Sequence, residues 1–233
     1  MSKNIQSPSV DVIIPIFNGA KTILRAIESI NSQIANCDLR IFAVDDFSSD
    51  DSMKLIANLK HLKIETIIIK NRKNLGNAYS RNIGIKSSQA AYIALLDQDD
   101  FWVPEKLALQ LEAFSKNPKL QYVVGMQEFT LDDPTKIPGW FNPKWLESPQ
   151  PGYLPSALLA KREVFHTVGL FHEDLRLGSD VAWFAKARSL HVPHQLLPQV
   201  LVQKGIHDKN LSSNPKINTD LLAAIRVHLK EQS

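Results

Sequence analysis

"VDVIIPIFNGAKTILRAIESI", residues 10–30, changes period partway along. Residues 10–17 are a run of apolar, mostly β-branched side chains that closes on a proline and the Asn18-Gly19 turn. Ala20, Leu24, Ile27, Ile30 and Ile34 then recur at helical spacing. A buried strand handing over to an amphipathic helix is the first half of a βαβ unit. The same alternation continues downstream. Strands are expected at 40–46, 63–69 and 90–96. Helices are expected over 51–60 (Met53, Ile56, Leu59), over 74–88 after a glycine turn, and from Pro104 onward with Leu107, Leu111 and Phe114 inward.

Repeated βαβ units predict an α/β fold with a doubly wound, mostly parallel sheet flanked by helices. After residue 116 the pattern loosens. It holds a strand at 120–129, a loop at 130–152 with five prolines beside Trp140 and Trp145, and a helix near 180–190. A strand at 194–204, a polar loop at 205–214 and a closing helix with Ile217, Leu221, Ile225 and Leu229 follow. One domain over 1–233 is expected, with a nucleotide-binding half (about 9–116), an acceptor half (about 117–213) and a C-terminal helix (214–233).

Bulk properties narrow the class. A 44% hydrophobic and 22% charged chain of 233 residues is ordinary for a soluble globular protein. The net charge of +3, from 27 basic and 24 acidic residues, argues against a nucleic-acid partner. Cys37 is the single cysteine, so no intrachain disulfide forms. The start is polar, and no apolar run nears the roughly 20 residues of a membrane span. The expectation is a cytoplasmic protein, with attachment to a membrane through a partner left open.

Doubly wound sheets bind ligands beyond the carboxyl ends of their strands. Asn18, Asp45, Asp46, Asn71, Arg72, Asp97, Asp99 and Asp100 all fall at those ends. The triplet in "LLDQDDFW" (95–102) suits a hard divalent cation, or else a solvated turn capping the next helix. Asp45 and Asp46 could hold a base or ribose, or cap a helix together with Ser48, Ser49 or Asp50. Arg81 could meet a phosphate, or be an ordinary surface arginine. His207 follows the last strand, where it either reaches a metal or phosphate or is structural. No Walker A sequence, dinucleotide glycine fingerprint or zinc motif occurs. Trp140, Phe141 and Trp145 make the 130–152 loop an acceptor platform or lid, or a plug over the core.

Five segments in order resemble the family 2 glycosyltransferases of GT-A fold, over roughly residues 9–213. They are "VIIPIFNGAKTILRAIESI", "VDDFSSDDS", "NLGNAYSRNIGI", "LLDQDDFWVPEKL" and "LPSALLAKREVFHTVGLFHEDLRLGSDVAWFAKA". The resemblance implies a nucleotide-diphospho-sugar donor (a UDP-sugar foremost), a divalent cation (Mn²⁺ or Mg²⁺), and transfer with inversion to an acceptor hydroxyl. The acceptor itself, whether glycan, lipid-linked glycan, small molecule or peptide, stays open.

By this resemblance Pro15, Phe17 and Asn18 line the nucleobase pocket, Asp45 and Asp46 touch base and ribose, and Arg81 lies near base or diphosphate. Asp97 approaches the ribose, Asp99 and His207 reach the metal, Asp100 supports the loop, and Asp180 is the general base. Ser179 replaces the acidic neighbour usual before that base, and Phe17 replaces a common tyrosine. The absence of Gln-x-x-Arg-Trp favours single-sugar transfer over processive synthesis. The alternatives are a catalytically silent sugar-nucleotide binder, a sugar-phosphate nucleotidyltransferase lacking its basic glycine loop, and a receiver-like module that would need only half this length.

Overall fold

The computed structural model describes residues 7–59, 62–133, 135–208 and 210. The expected C-terminal helix and the end of the polar loop before it lie outside the described residues. The strands are β1 (Ser9–Ile16), β2 (Asp38–Asp45), β3 (Glu65–Lys70), β4 (Tyr92–Leu95), β5 (Phe101–Trp102), β6 (Tyr122–Leu131), β7 (Gln150–Pro151), β8 (Leu159–Lys161) and β9 (His194–Ile206). The helices are α1 (Ile23–Asn31), α2 (Ser52–Ala57), α3 (Asn77–Ser87), α4 (Lys106–Lys116), α5 (Val164–Thr167) and α6 (Ser179–Ser189). Among the described residues no helix is long and apolar enough to cross a membrane.

All strands join one sheet in the order β3-β2-β1-β4-β8-β6-β9-β5, with β7 paired to β6. The first four are parallel, as the βαβ reading requires. Beyond β4 the sheet changes character. β8 is antiparallel to both β4 and β6, β6 and β9 run parallel, and β5 returns antiparallel against β9. The two-residue strand β5 was not legible in sequence; it forms because Phe101 and Trp102 lie beside Gln203 and Val202.

β1 is buried along nearly its whole length, which explains its unbroken apolar run. Helices pack on both faces and divide the core in two. The buried stripe of α1 is Ile23, Ala26, Ile27 and Ile30. This corrects the expected stripe: the helix begins only at Ile23, so Leu24 and Ile34 are exposed. In α4, Leu107 and Phe114 are buried as expected, and Leu111 is half-buried.

Candidate active site

The carboxyl ends of β1 and β2 are laced together by side chains. Asn18 accepts from the Ser49 N–H at 2.8 Å and donates its own N–H to Ser48 Oγ at 3.1 Å. Asp50 accepts from the Ala20 N–H at 3.0 Å and also from the Ser52 hydroxyl. Burial alone raises the Asp50 pKa, but the hydrogen bonds from Ser52 and Ala20 outweigh it and hold the pKa below the usual carboxylate value. Asn18 and Phe47 both take positive φ, at 51° and 70°. For a bulky residue such as Phe47 that is a strained turn, costing on the order of 1–3 kcal/mol. The rings of Phe17 and Phe47 are 41% and 59% exposed on this edge. Sequence reasoning singled out Phe17 and missed Phe47, because nothing local marks a phenylalanine with positive φ.

The paired acids of β2 divide. Asp45 is buried and accepts from the Ser48 N–H at 2.8 Å. Asp46 is 1% exposed and accepts from Leu75 N–H at 2.9 Å, Gly76 N–H at 2.7 Å and Asn71 Nδ2 at 2.8 Å. Its oxygens are turned onto the 71–76 loop and hold the entry to α3. That corrects the expectation that Asp46 touches base and ribose: the donors nearest it are in its own chain. Pro15 likewise sits inside β1 in register with Val44 and is buried, so it backs the site instead of lining it.

The acid turn after β4 is held from three sides. Gln98 grips the backbone of Phe17, donating to its carbonyl at 3.0 Å and accepting from its N–H at 2.9 Å. Gly19 lies so close to that amide that a Cβ there would fall on it. Ser156, in the short 3₁₀ turn before β8, accepts from the Asp97 N–H at 3.1 Å and donates to Asp100 Oδ2 at 2.6 Å. Asp100 is fully buried, accepts from the Gly205 N–H at 3.2 Å, and faces Lys204 Nζ at 3.4 Å. Burial and the neighbouring carboxylates push the Asp100 carboxyl up to about 7, against the pull of Lys204.

Asp97 pairs with the buried Arg81 at 2.5 Å. Burial opposes the Arg81 charge, yet Asp97, Asp180 and Asp100 together hold its pKa above the ordinary value. Asp180 therefore shares one electrostatic neighbourhood with the acid turn, although 80 or more residues separate them in the chain. Asp180 stands half-buried in the first turn of α6, after Gly178 with φ 78°. The segment leading to it is anchored by Asn82 of α3, which donates to the Phe171 carbonyl at 2.8 Å and accepts from the Phe171 N–H at 3.0 Å.

Asp99 Oδ2 and His207 Nε2 meet at 3.2 Å, and Asn210 Nδ2 donates to the same oxygen at 3.0 Å. Burial raises the Asp99 pKa, but the His207 contact and Lys204 outweigh it and lower it, and the same contact raises the His207 pKa against burial. A carboxylate and an imidazole converging on one point suit Mn²⁺ or Mg²⁺ completed by phosphate oxygens. Among the described residues no group of three His, Cys, Asp or Glu converges as an all-protein metal centre would require.

The structure thus brings together Phe17, Asn18, Asp45, Arg81, Asp97, Asp99, Asp180 and His207, and turns Asp46 and Pro15 inward. Gln98, Ser156, Lys204 and Asn210 were missed. Their side chains act across 50–110 positions of sequence, where no local pattern could reveal them.

The same architecture occurs in S. aureus TarS, residues 1–349 in complex with UDP-GlcNAc. The TM-score is 0.74 at 16% identity, covering 94% of this chain and 65% of that one. The domain is therefore α/β, of the GT-A type. A sequence model of glycosyl transferase family 2 matches residues 11–172, and the chain belongs to that family.

Among relatives, the UDP-Glc:alpha-D-GlcNAc-diphosphoundecaprenol beta-1,3-glucosyltransferase WfaP of Escherichia coli is 38% identical over 102 residues, 44% of this chain and 39% of that protein. An "Uncharacterized glycosyltransferase" of Rickettsia bellii (strain RML369-C) is 37% identical over 118 residues, 50% of this chain. The match spans only 17% of that Rickettsia protein's length.

Proposed function

We propose that this chain is a metal-dependent, inverting glycosyltransferase that moves one sugar from a UDP-sugar to an acceptor hydroxyl. The observation that carries the reading is the gathering of Asp97, Asp180 and Asp100 around Arg81, next to the Asp99–His207 pair, at the carboxyl edge of the sheet. The UDP-Glc in the name of WfaP and the UDP-GlcNAc in the TarS complex support a uridine nucleotide as the donor's leaving half.

Each group has a physical task. Phe17 offers an exposed ring for the base, and Asp45, Arg81 and Asp97 bind the nucleoside portion. Asp99 and His207 would hold the divalent cation, which when bound offsets the charge gathering on the leaving diphosphate. Asp180 takes the proton from the acceptor hydroxyl as its oxygen bonds to the anomeric carbon and the bond from that carbon to the diphosphate oxygen breaks. The clamps made by Gln98, Ser156 and Lys204 keep the acid turn in one geometry, so little reorganisation is needed when the donor arrives.

A thermal-shift screen of UDP-, GDP- and dTDP-sugars with and without Mn²⁺ tests this. A ligand that binds the folded state raises the midpoint by mass action. A shift with a UDP-sugar that grows with Mn²⁺ is expected. No shift from any nucleotide-sugar would overturn the reading.

A further inference from the structure

The long strand β6 carries an aromatic cover that the donor site does not use. Phe129 stacks on Trp145 at 5.7 Å and 21° between planes, and meets Phe141 edge-on at 5.2 Å. Trp140 packs edge-on against Phe141 at 5.8 Å. Phe141 is buried and fixes the cover to the strand, whereas Trp145 is 44% exposed and residues 142–149 all face solvent. A plug would bury its rings; this arrangement buries one and leaves the other tryptophan ring open.

The cover stands beside the acid turn. Phe129 is in register with Lys204 of β9, and register partners share a sheet face. Lys204 reaches Asp100 on that face. From the other side, β7 pairs with Met126 and Gln127, and the chain then runs directly to Ser156, which holds Asp97 and Asp100.

Two buried polar atoms in this region lack partners in the protein: Trp140 Nε1, a donor, and Gln127 Oε1, an acceptor. Gln127 lies two residues before Phe129, on the same face of β6. Leaving such groups unpaired is costly. A ligand offering both donors and acceptors next to an apolar face would relieve both, and that is the chemistry of a pyranose: C–H groups on one face, hydroxyls around the rim.

We infer that the Trp140–Phe141–Trp145 cover is the acceptor platform and that the acceptor presents a sugar ring to it. The ring face lies on Trp145, and its hydroxyls supply the partners that Gln127 and Trp140 lack. The assignment of this surface to the acceptor rests on the proposed transferase reading; the affinity for a sugar ring can be measured apart from it.

The test is titration of the full chain with disaccharides ending in glucose, galactose, N-acetylglucosamine or a uronate, followed by tryptophan emission and saturation-transfer NMR. UDP is titrated in parallel. At least one disaccharide is expected to give a saturable emission change. Trp145→Ala should weaken it by about tenfold or more, Trp145→Phe should largely preserve it, and Trp140→Phe should weaken it while conserving the packing. UDP binding should be unchanged in all three. The inference is overturned if UDP binds and no disaccharide does, or if Trp145→Ala and Trp140→Phe both keep wild-type affinity. It is also overturned if Trp145→Ala lowers Tm while Trp140→Phe, folded normally, binds sugar as before, since the cover is then only packing. Failure of UDP itself to bind strikes the transferase reading and leaves the sugar titration to be judged alone.

Discussion

Two buried carboxylate sites sit at opposite ends of the same parallel strands, and they are built differently. At the amino end, Asp11 is 1% exposed and fully answered: Arg40 donates to both its oxygens at 2.8 and 2.9 Å, Ser88 donates at 2.5 Å, and the Ala90 N–H at 3.2 Å. At the carboxyl end, Asp97, Asp99 and Asp100 crowd together against Arg81 and Lys204, and the carboxyl of Asp100 rises to about 7 as a result. One site is a closed structural bond. The other keeps negative charge in excess of its fixed partners, which is the condition for receiving a cation and a charged donor.

The largest effect that can break this contrast concerns Asp180. Asp180→Asn should lower the transfer rate by about 10²–10⁴-fold with donor affinity retained; transfer near the wild-type rate, measured by release of nucleotide diphosphate, removes it from the base role. Next comes Asp99→Ala. It should weaken Mn²⁺-dependent donor binding by more than the about 10–100-fold typical of outer-shell partners, and calorimetry showing the same donor affinity with metal present would count against Asp99 as a ligand. At the opposite end Asp11→Ala should leave donor binding alone and cost about 1–3 kcal/mol of stability, since Ser88 and the Ala90 N–H lose their acceptor. An unchanged denaturation midpoint would erase the distinction. The smallest effect is that Asp99→Asn, which removes one of the crowded charges and keeps an acceptor oxygen, should leave Tm within about 2 °C of wild type.

Lys106 sharpens the comparison from inside the core. It is fully buried, donating to Gln110 at 2.8 Å with its Nζ 4.0 Å from the Trp102 ring centre. The ring favours the ammonium form by about 2 kcal/mol at best, less than the loss of hydration costs, so burial drives the Lys106 pKa well below 10.5. The unfolded chain then holds more protons than the folded one at pH values between the two pKa values. Stability conferred by neutral Lys106 is thus full above the unfolded value and lost as pH falls toward the folded one. The difference in unfolding free energy between wild type and Lys106→Met should shift in favour of wild type by about 1.4 kcal/mol per pH unit across that range. A flat difference from pH 7 to 10 would mean that Lys106 stays charged when buried.

Much of this was legible in the chain. The apolar run of β1, the glycine turn before α3 and the acids after β4 are local signals, and strand order in the first half followed from the βαβ alternation. The second half was less legible because β5, β7 and β8 are two or three residues long and exist only through their partners. For the site, sequence pointed to the right stretches but not to the direction of each side chain. Asp45 and Asp46 are adjacent and chemically identical, yet a strand sends neighbours to opposite sides; one caps the turn at Ser48 and the other clamps the 71–76 loop.

The sequence by itself determined the α/β class, the carboxyl edge where polar groups collect, and which residue types stand there, because these depend on hydrophobic period and turn chemistry over a few residues. Only the tertiary structure decided which acids keep open oxygens, that Gln98, Ser156 and Lys204 brace the acid turn, and that Asp180 joins it. Those outcomes depend on contacts across 50 or more positions, where burial and hydrogen-bond supply are properties of the packed whole.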